Sequence, residues 1–163
     1  MQYLLDANVF IEAKNRYYGF DFCPAFWDWL IQKNDEQIVF SIEAVYKELT
    51  EGNDDLSTWA KSYKNTFFLS PDNSTLAQFT TVSTWAMSQD YQQTAINEFL
   101  SVGDYYLVSH ALGNQMTVVT HEIPSNSKKK IKIPNACQDL GVQFTNPFEM
   151  LRSQNANFVL GST

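Results

Sequence analysis

Cysteine is almost absent: the 163 residues hold only Cys23 and Cys137, far apart and in no CxxC pair. That excludes a disulfide framework and a thiolate zinc site, and predicts two buried, reduced thiols. Histidine is equally scarce, at His110 and His121, and neither HExxH nor CxxH spacing occurs, so a histidine-built zinc centre is excluded as well. The opening MQYLLDANVFIEAKN has no basic start followed by a sustained apolar run, so no signal peptide is expected. No later stretch approaches the apolar length of a membrane span, so a cytoplasmic protein without a membrane partner is expected. No repeat or linker divides the chain, and its length predicts one domain over 1–163.

What is present is apolar and acidic. Hydrophobic residues make up 44%, with 12 Phe, 8 Tyr and 4 Trp, enough to fill a core. The formal net charge is -7, unevenly placed: residues 1–122 carry six basic and sixteen acidic side chains, residues 123–163 five and two. A cluster of carboxylates facing a local basic segment suits a cation-using enzyme with an anionic substrate, and surface acids alone give similar totals.

Along the chain the pattern alternates strand and helix. Residues 2–5 predict a short buried strand ending at Asp6, followed by helix to about Arg16. A helix from Phe22 to Lys33 and a strand from Gln37 to Phe40 come next, then a helix with Ser41 as its N-cap that stops at Gly52. From Asp54 to Ser101 the sequence predicts a helical insert without a convincing strand. A helix opened at Ser101 and ending near Gly113 and Asn114 leads to a strand from Met116 to Thr120. A Lys-rich loop, Ile131 to Ile133, a helix over PNACQDLG, a strand from Val142 to Phe144 and a helix from Pro147 to Arg152 complete the chain, with Pro134 and Pro147 where helices start. The rhythm predicts an α/β fold with a short, mostly parallel central sheet flanked by helices and a site at the carboxyl ends of the strands.

Four acids fall where such a site would be. Asp6 ends the first strand and Glu122 follows a later one. Asp104 shares a helix face with Leu107, Val108 and Ala111, and Glu48 follows Ala44 and Val45 on its helix, with Glu43 the second choice. Carboxylates gathered in a cleft repel one another unless cations fill the space, and Mg2+ or Mn2+ takes oxygen ligands with substrate phosphates completing the shell. Two such ions promote phosphodiester hydrolysis by water. Singly, each acid has a plainer reading: Asp6 as a helix cap, Asp104 in a near capping box with Ser101, Glu48 and Glu122 as solvated residues. His121 can position a phosphate or sit idle in a loop, and His110 lies within an apolar helical run. Lys14, Arg16, Lys128, Lys129, Lys130, Lys132 and Arg152 are candidates for an RNA backbone or for a solvated surface. Trp59, Trp85, Tyr91 and Phe99 can stack bases, with core packing the commoner fate.

In order and spacing, LLDANVFIE, SIEAVYKEL, SVGDYYLVSHAL and VVTHE resemble the four acidic motifs of PIN-domain nucleases. The closing KKKIKIPNACQDLGVQFTNPFEMLR is similar to the ending of a PIN-like subfamily often encoded beside a DNA-binding antitoxin. The resemblance implies a Rossmann-like PIN fold and Mg2+- or Mn2+-dependent endoribonuclease activity. It further implies the toxin role of a type II toxin-antitoxin pair, with an antitoxin partner and a homodimer. It assigns Asp6, Glu48, Asp104 and Glu122 to the metal and Asn8 and Thr120 to their support. The last motif departs from the commoner Thr-Asn-Asp, reading Thr120-His121-Glu122. Two other classes compete: a non-catalytic PIN-like module that binds RNA or protein, and a haloacid-dehalogenase-like phosphatase using Asp6. The phosphatase chemistry wants a second acid where Asn8 stands.

Overall fold

Tyr3–Leu5 has no polar residue to turn toward water, and in the computed structural model, which describes residues 1–161, it forms β1 at the middle of a five-stranded sheet. β2 (Val39–Ile42) and β4 (Thr117–Val119) flank it, and β3 (Phe68–Leu69) and β5 (Phe144–Thr145) form the edges. Every pairing is parallel, with Tyr3 opposite both Val39 and Thr117 and Leu4 opposite both Phe40 and Val118. β1, β2 and β4 are buried along their whole length, as parallel strands covered on both faces must be.

The strand order β3-β2-β1-β4-β5 sends the chain outward on one side of β1 and then back to its other side. The loops leaving β1 and β4 therefore diverge, and a crevice opens at their carboxyl ends. Asp6 and Thr120, the residues directly after those strands, stand at its floor.

The helices are α1 (Ala7–Glu12), running on into a π-helix at Ala13–Tyr17, α2 (Pro24–Asp35), α3 (Glu43–Leu49), α4 (Asp55–Ser62), α5 (Lys64–Phe67), α6 (Asn73–Leu76), α7 (Phe79–Ser88), α8 (Gln93–Ser101), α9 (Gly103–Asn114), α10 (Ile133–Leu140) and α11 (Pro147–Ser153). Among the described residues, none is long and apolar enough to cross a membrane. Pro134 and Pro147 open α10 and α11, where a missing N–H costs nothing. One hydrophobic cluster joins the sheet to these helices, with Phe10, Phe26, Leu30, Phe67 and Leu107 fully enclosed. Trp85 and Phe99 are buried in it, and Trp59 packs against it between Phe10, Trp27 and Phe67.

Several expectations need correction. Ser41 does not cap α3: it lies inside β2, where its buried Oγ donates to Leu5 O at 2.6 Å, and pairing within the sheet outweighs its local capping preference. Ser101 does not open α9 either; it ends α8 and donates to Glu98 O at 2.9 Å, while α9 starts after Val102 without a side-chain cap. The insert contains a strand, β3, which pairs with β2. The helix expected from Pro134 begins one residue earlier, at Ile133. Cys137 is buried, whereas Cys23 is only partly so.

α9 ends at Asn114, as expected, although Gly113 lies inside it rather than at its cap. The left-handed residue there is Gln115, at φ 55°. A Cβ on Gly113 would lie 2.3 Å from Ser74 O, so this glycine lets α9 approach the backbone of α6.

Candidate functional site

The crevice is built around one carboxylate. Asp6 is extended at φ -73°, ψ 157°, the geometry of a residue leaving a strand to cap a helix, and its Oδ1 accepts from Ala7 N–H at 2.8 Å. Its Oδ2 accepts from Thr120 Oγ1 at 2.9 Å, and its own N–H donates to Val119 O at 2.9 Å. Thr120 Oγ1 accepts in turn from Asn8 Nδ2 at 3.2 Å and from Glu122 N–H at 3.1 Å, while Asn8 Oδ1 accepts from His121 N–H at 3.2 Å. Asp6, Asn8, Thr120, His121 and Glu122 thus form one hydrogen-bonded unit across the ends of β1 and β4.

Asp104 enters from the first turn of α9, on the face that carries the buried Leu107, Val108 and Ala111. Burial first, then the charge of Asp104, raises the pKa of Asp6 to about 8, with Glu122 adding to the rise and the bonds from Thr120 and Ala7 opposing it. Asp104 is raised to about 7 by burial and then by Glu122, with Lys130 opposing and Glu48 and Glu98 adding. The acids from four elements therefore share one electrostatic field.

They are not equivalent within it. Glu122 Oε1 accepts from Ile133 N–H at 3.1 Å, which caps α10, whose own N-cap residue Lys132 makes no side-chain bond. Glu48 is exposed, its pKa raised by partial burial and then by Glu51. Glu43 pairs with Lys47 at 3.4 Å and lines a groove with Ile42, Val102 and Tyr106, while Glu48 adds to the rise at Asp104.

Among the described residues, no group of three or more His, Cys, Asp or Glu could hold a metal ion. The donor set fits a hard cation in a sparser way. Asp6 and Asp104 offer oxygen only, repel each other and are held against that repulsion, and Mg2+ can bind through one or two carboxylates when water and substrate phosphates supply the rest.

The family model described as "Domain of unknown function (DUF4411)" matches residues 3–158. The chain belongs to the DUF4411 family. A comparison with curated proteins finds no match. Among solved structures, this DUF4411 chain is similar to one in VapBC2 from Rickettsia felis bound to a DNA fragment from their promoter, at 12% identity and a TM-score of 0.57 over 90% of this chain and 98% of that one. It is also similar to a chain of FitAB bound to IR36 DNA, at 19% and 0.53 over 90% and 96%. For FitAcB from Neisseria gonorrhoeae the values are 17% and 0.53 over 90% and 99%. The fold is PIN-like.

The expected cationic residues divide. Lys14 bonds Asp54 at 2.8 Å, Arg16 pairs with Glu12 at 3.2 Å and Arg152 with Glu149 through its Nη1, so each already has a carboxylate partner. Lys128 lies over the Tyr91 ring at 5.0 Å, and Lys129 and Lys130 are exposed beside it. His110 is buried, with Nδ1 3.0 Å from Thr75 Oγ1, a structural placement away from the acids. His121 is half-buried, its pKa lowered by desolvation and only partly restored by Glu12. Sequence patterning missed the rings beside it: Tyr17 stacks on His121 at 5.7 Å, and Phe148 meets both edge-on. These three residues come from distant parts of the chain, and no local pattern joins them.

Proposed function

We propose that the chain is a Mg2+- or Mn2+-dependent endoribonuclease whose cation is held chiefly by Asp6 and Asp104, with Glu122 and Glu48 shaping the field around it. One observation carries this reading: Asp6, buried at the switch point of a parallel sheet, lies in the field of the half-buried Asp104, whose charge adds to burial in raising the pKa of Asp6 to about 8. Such an arrangement is destabilising unless a cation completes it, and perturbed acids in a cleft mark functional sites. When bound, the cation supplies Lewis acidity that activates water and offsets charge on the phosphate. Thr120 and the Ala7 N–H orient Asp6, Asn8 braces Thr120, and Lys130 places positive charge beside Asp104, where a phosphate would arrive.

RNA as substrate and the toxin role with an antitoxin partner rest on the resemblance of the motifs. The PIN-like fold shared with chains of VapBC2 and FitAcB supports that reading, and a homodimer belongs to the same proposal. A cytoplasmic place for the protein follows from its proposed substrate.

The second reading is a non-catalytic PIN-like module that binds RNA or protein. The lack of a group of three or more possible ligands among the described residues is the observation in its favour. The two readings separate in one experiment. Purified chain, freed of partners, should cleave single-stranded RNA with Mn2+ or Mg2+, and Asp6→Asn or Asp104→Asn should abolish cleavage with an unchanged circular dichroism spectrum. Variants as active as the parent would sink the site assignment, and a parent that neither cleaves nor binds Mn2+ in calorimetry would leave the binding module. Phosphoaspartate trapped on Asp6 would instead revive the phosphatase reading.

A further inference from the structure

Beyond β4 and β5 the crevice continues into a groove of about 480 Å3, lined by Thr120, His121, Glu122, Ile123, Pro124, Phe144, Thr145, Asn146 and Phe148. Thr120 and Glu122 belong to the acidic unit as well, so groove and acids are continuous. No Lys or Arg lines it, and Glu122 is its one charged residue. A phosphate is therefore disfavoured inside it.

His121, Phe144 and Phe148 bring rings to its wall, and Tyr17 packs on two of them from outside the lining. Tyr17, 42% exposed at the end of the π-helix, lies nearly parallel to His121, with an interplanar angle of 25°. Phe148 stands edge-on to Tyr17 at 5.1 Å and to His121 at 5.7 Å. The mounting is firm. The wider turn, closed by Tyr18 N–H to Ala13 O at 2.7 Å, carries Tyr17, and the His121 N–H is tied to Asn8. Pro147 and the Asn146 cap on Glu149 N–H hold Phe148 at the start of α11. Ile123, 75% exposed, forms an apolar rim.

We propose that this groove is a nucleobase subsite, in which His121 and Phe148, braced by Tyr17, receive an unstacked base of single-stranded RNA next to the acidic centre. The proposal rests on the nuclease reading and gives it a substrate form: the phosphate is handled at Asp6 and Asp104, and a neighbouring base is held by rings. Aromatic stacking tolerates any base, because each has a π-face, while Thr145 and Asn146 offer hydrogen bonds to its edge. Duplex RNA keeps its bases stacked and does not fit.

The test is fluorescence anisotropy with a labelled single-stranded RNA octamer and full-length chain in chelator, where no cleavage occurs. Phe148→Leu and Tyr17→Leu keep apolar bulk and remove the ring, and thermal melts verify folding. Each should weaken binding on the order of 10-fold without changing the salt slope, and Phe148→Trp should restore it. With Mn2+, KM should rise while kcat holds.

Unchanged affinity in both leucine variants would overturn the subsite while leaving the parent's cleavage, and so the nuclease reading, intact. A parent that cleaves nothing and binds no RNA would overturn both. If the leucine variants keep RNA affinity but lose self-association in sedimentation, the rings serve a protein contact and the proposal falls.

Discussion

Asp6 accepts a hydrogen bond on each carboxylate oxygen, yet burial and the nearby Asp104 charge push its pKa to about 8. An unfolded aspartate titrates near 3.8, so the folded chain keeps a proton that the unfolded chain releases. The stabilisation is complete below about pH 4 and lost as pH rises through about 8. Asp6→Asn cannot ionise and keeps the acceptor for Ala7. In chelator at pH 8.5 it should be more stable than the parent by on the order of 1–3 kcal/mol, with the gap closing toward pH 4, as read by thermal denaturation. A less stable variant at pH 8.5 would remove the buried-charge argument. Thr120→Val deletes a donor to Asp6 and an acceptor for Asn8 and Glu122. It should cost about 1–3 kcal/mol of stability and move the cleavage pH profile upward, because Asp6 loses the bond that favours its charged form.

At the scale of elements, the close approach of α9 to α6 has a single-residue test. Alanine is the better helix former, yet at Gly113 its Cβ would meet Ser74 O at 2.3 Å and Ser74 C at 2.6 Å. Gly113→Ala should therefore destabilise by roughly 1–3 kcal/mol, seen as a lowered urea midpoint; a raised midpoint would mean that the helices separate freely. Ser41→Ala should cost about 1 kcal/mol through the lost bond to Leu5 O, read as a lowered urea midpoint. These elements also show why some boundaries were illegible. Ser41 and Ser101 look like caps because capping is local, but β2 runs through Ser41 by sheet pairing and α8 holds Ser101 as its last residue. β3, two residues long, is too short to display any alternation.

Across the whole molecule, the acidic bulk of residues 1–122 and the basic segment after them meet at the crevice, where Lys130 opposes the charge on Asp104. Replacing Lys128, Lys129 and Lys130 with Gln should weaken single-stranded RNA binding about equally for all sequences and reduce the salt slope by up to about 2, measured in chelator. An unchanged slope would remove the lysines from the RNA path. The sequence by itself determined the parallel α/β class, because buried strands and amphipathic helices have periods that can be read locally. It also determined the places of Asp6 and Asp104, one at a strand end and one heading an apolar helix face. Only the tertiary structure decided how the other acids are engaged: Glu122 turns to cap α10, and Glu43 pairs with Lys47. It alone gathered Tyr17, His121 and Phe148 into one ring cluster. The reason is physical. Hydrophobic period and strand-end position are properties of neighbours in sequence, whereas hydrogen-bond partners, mutual charge and ring contacts arise between segments that meet only when the sheet closes.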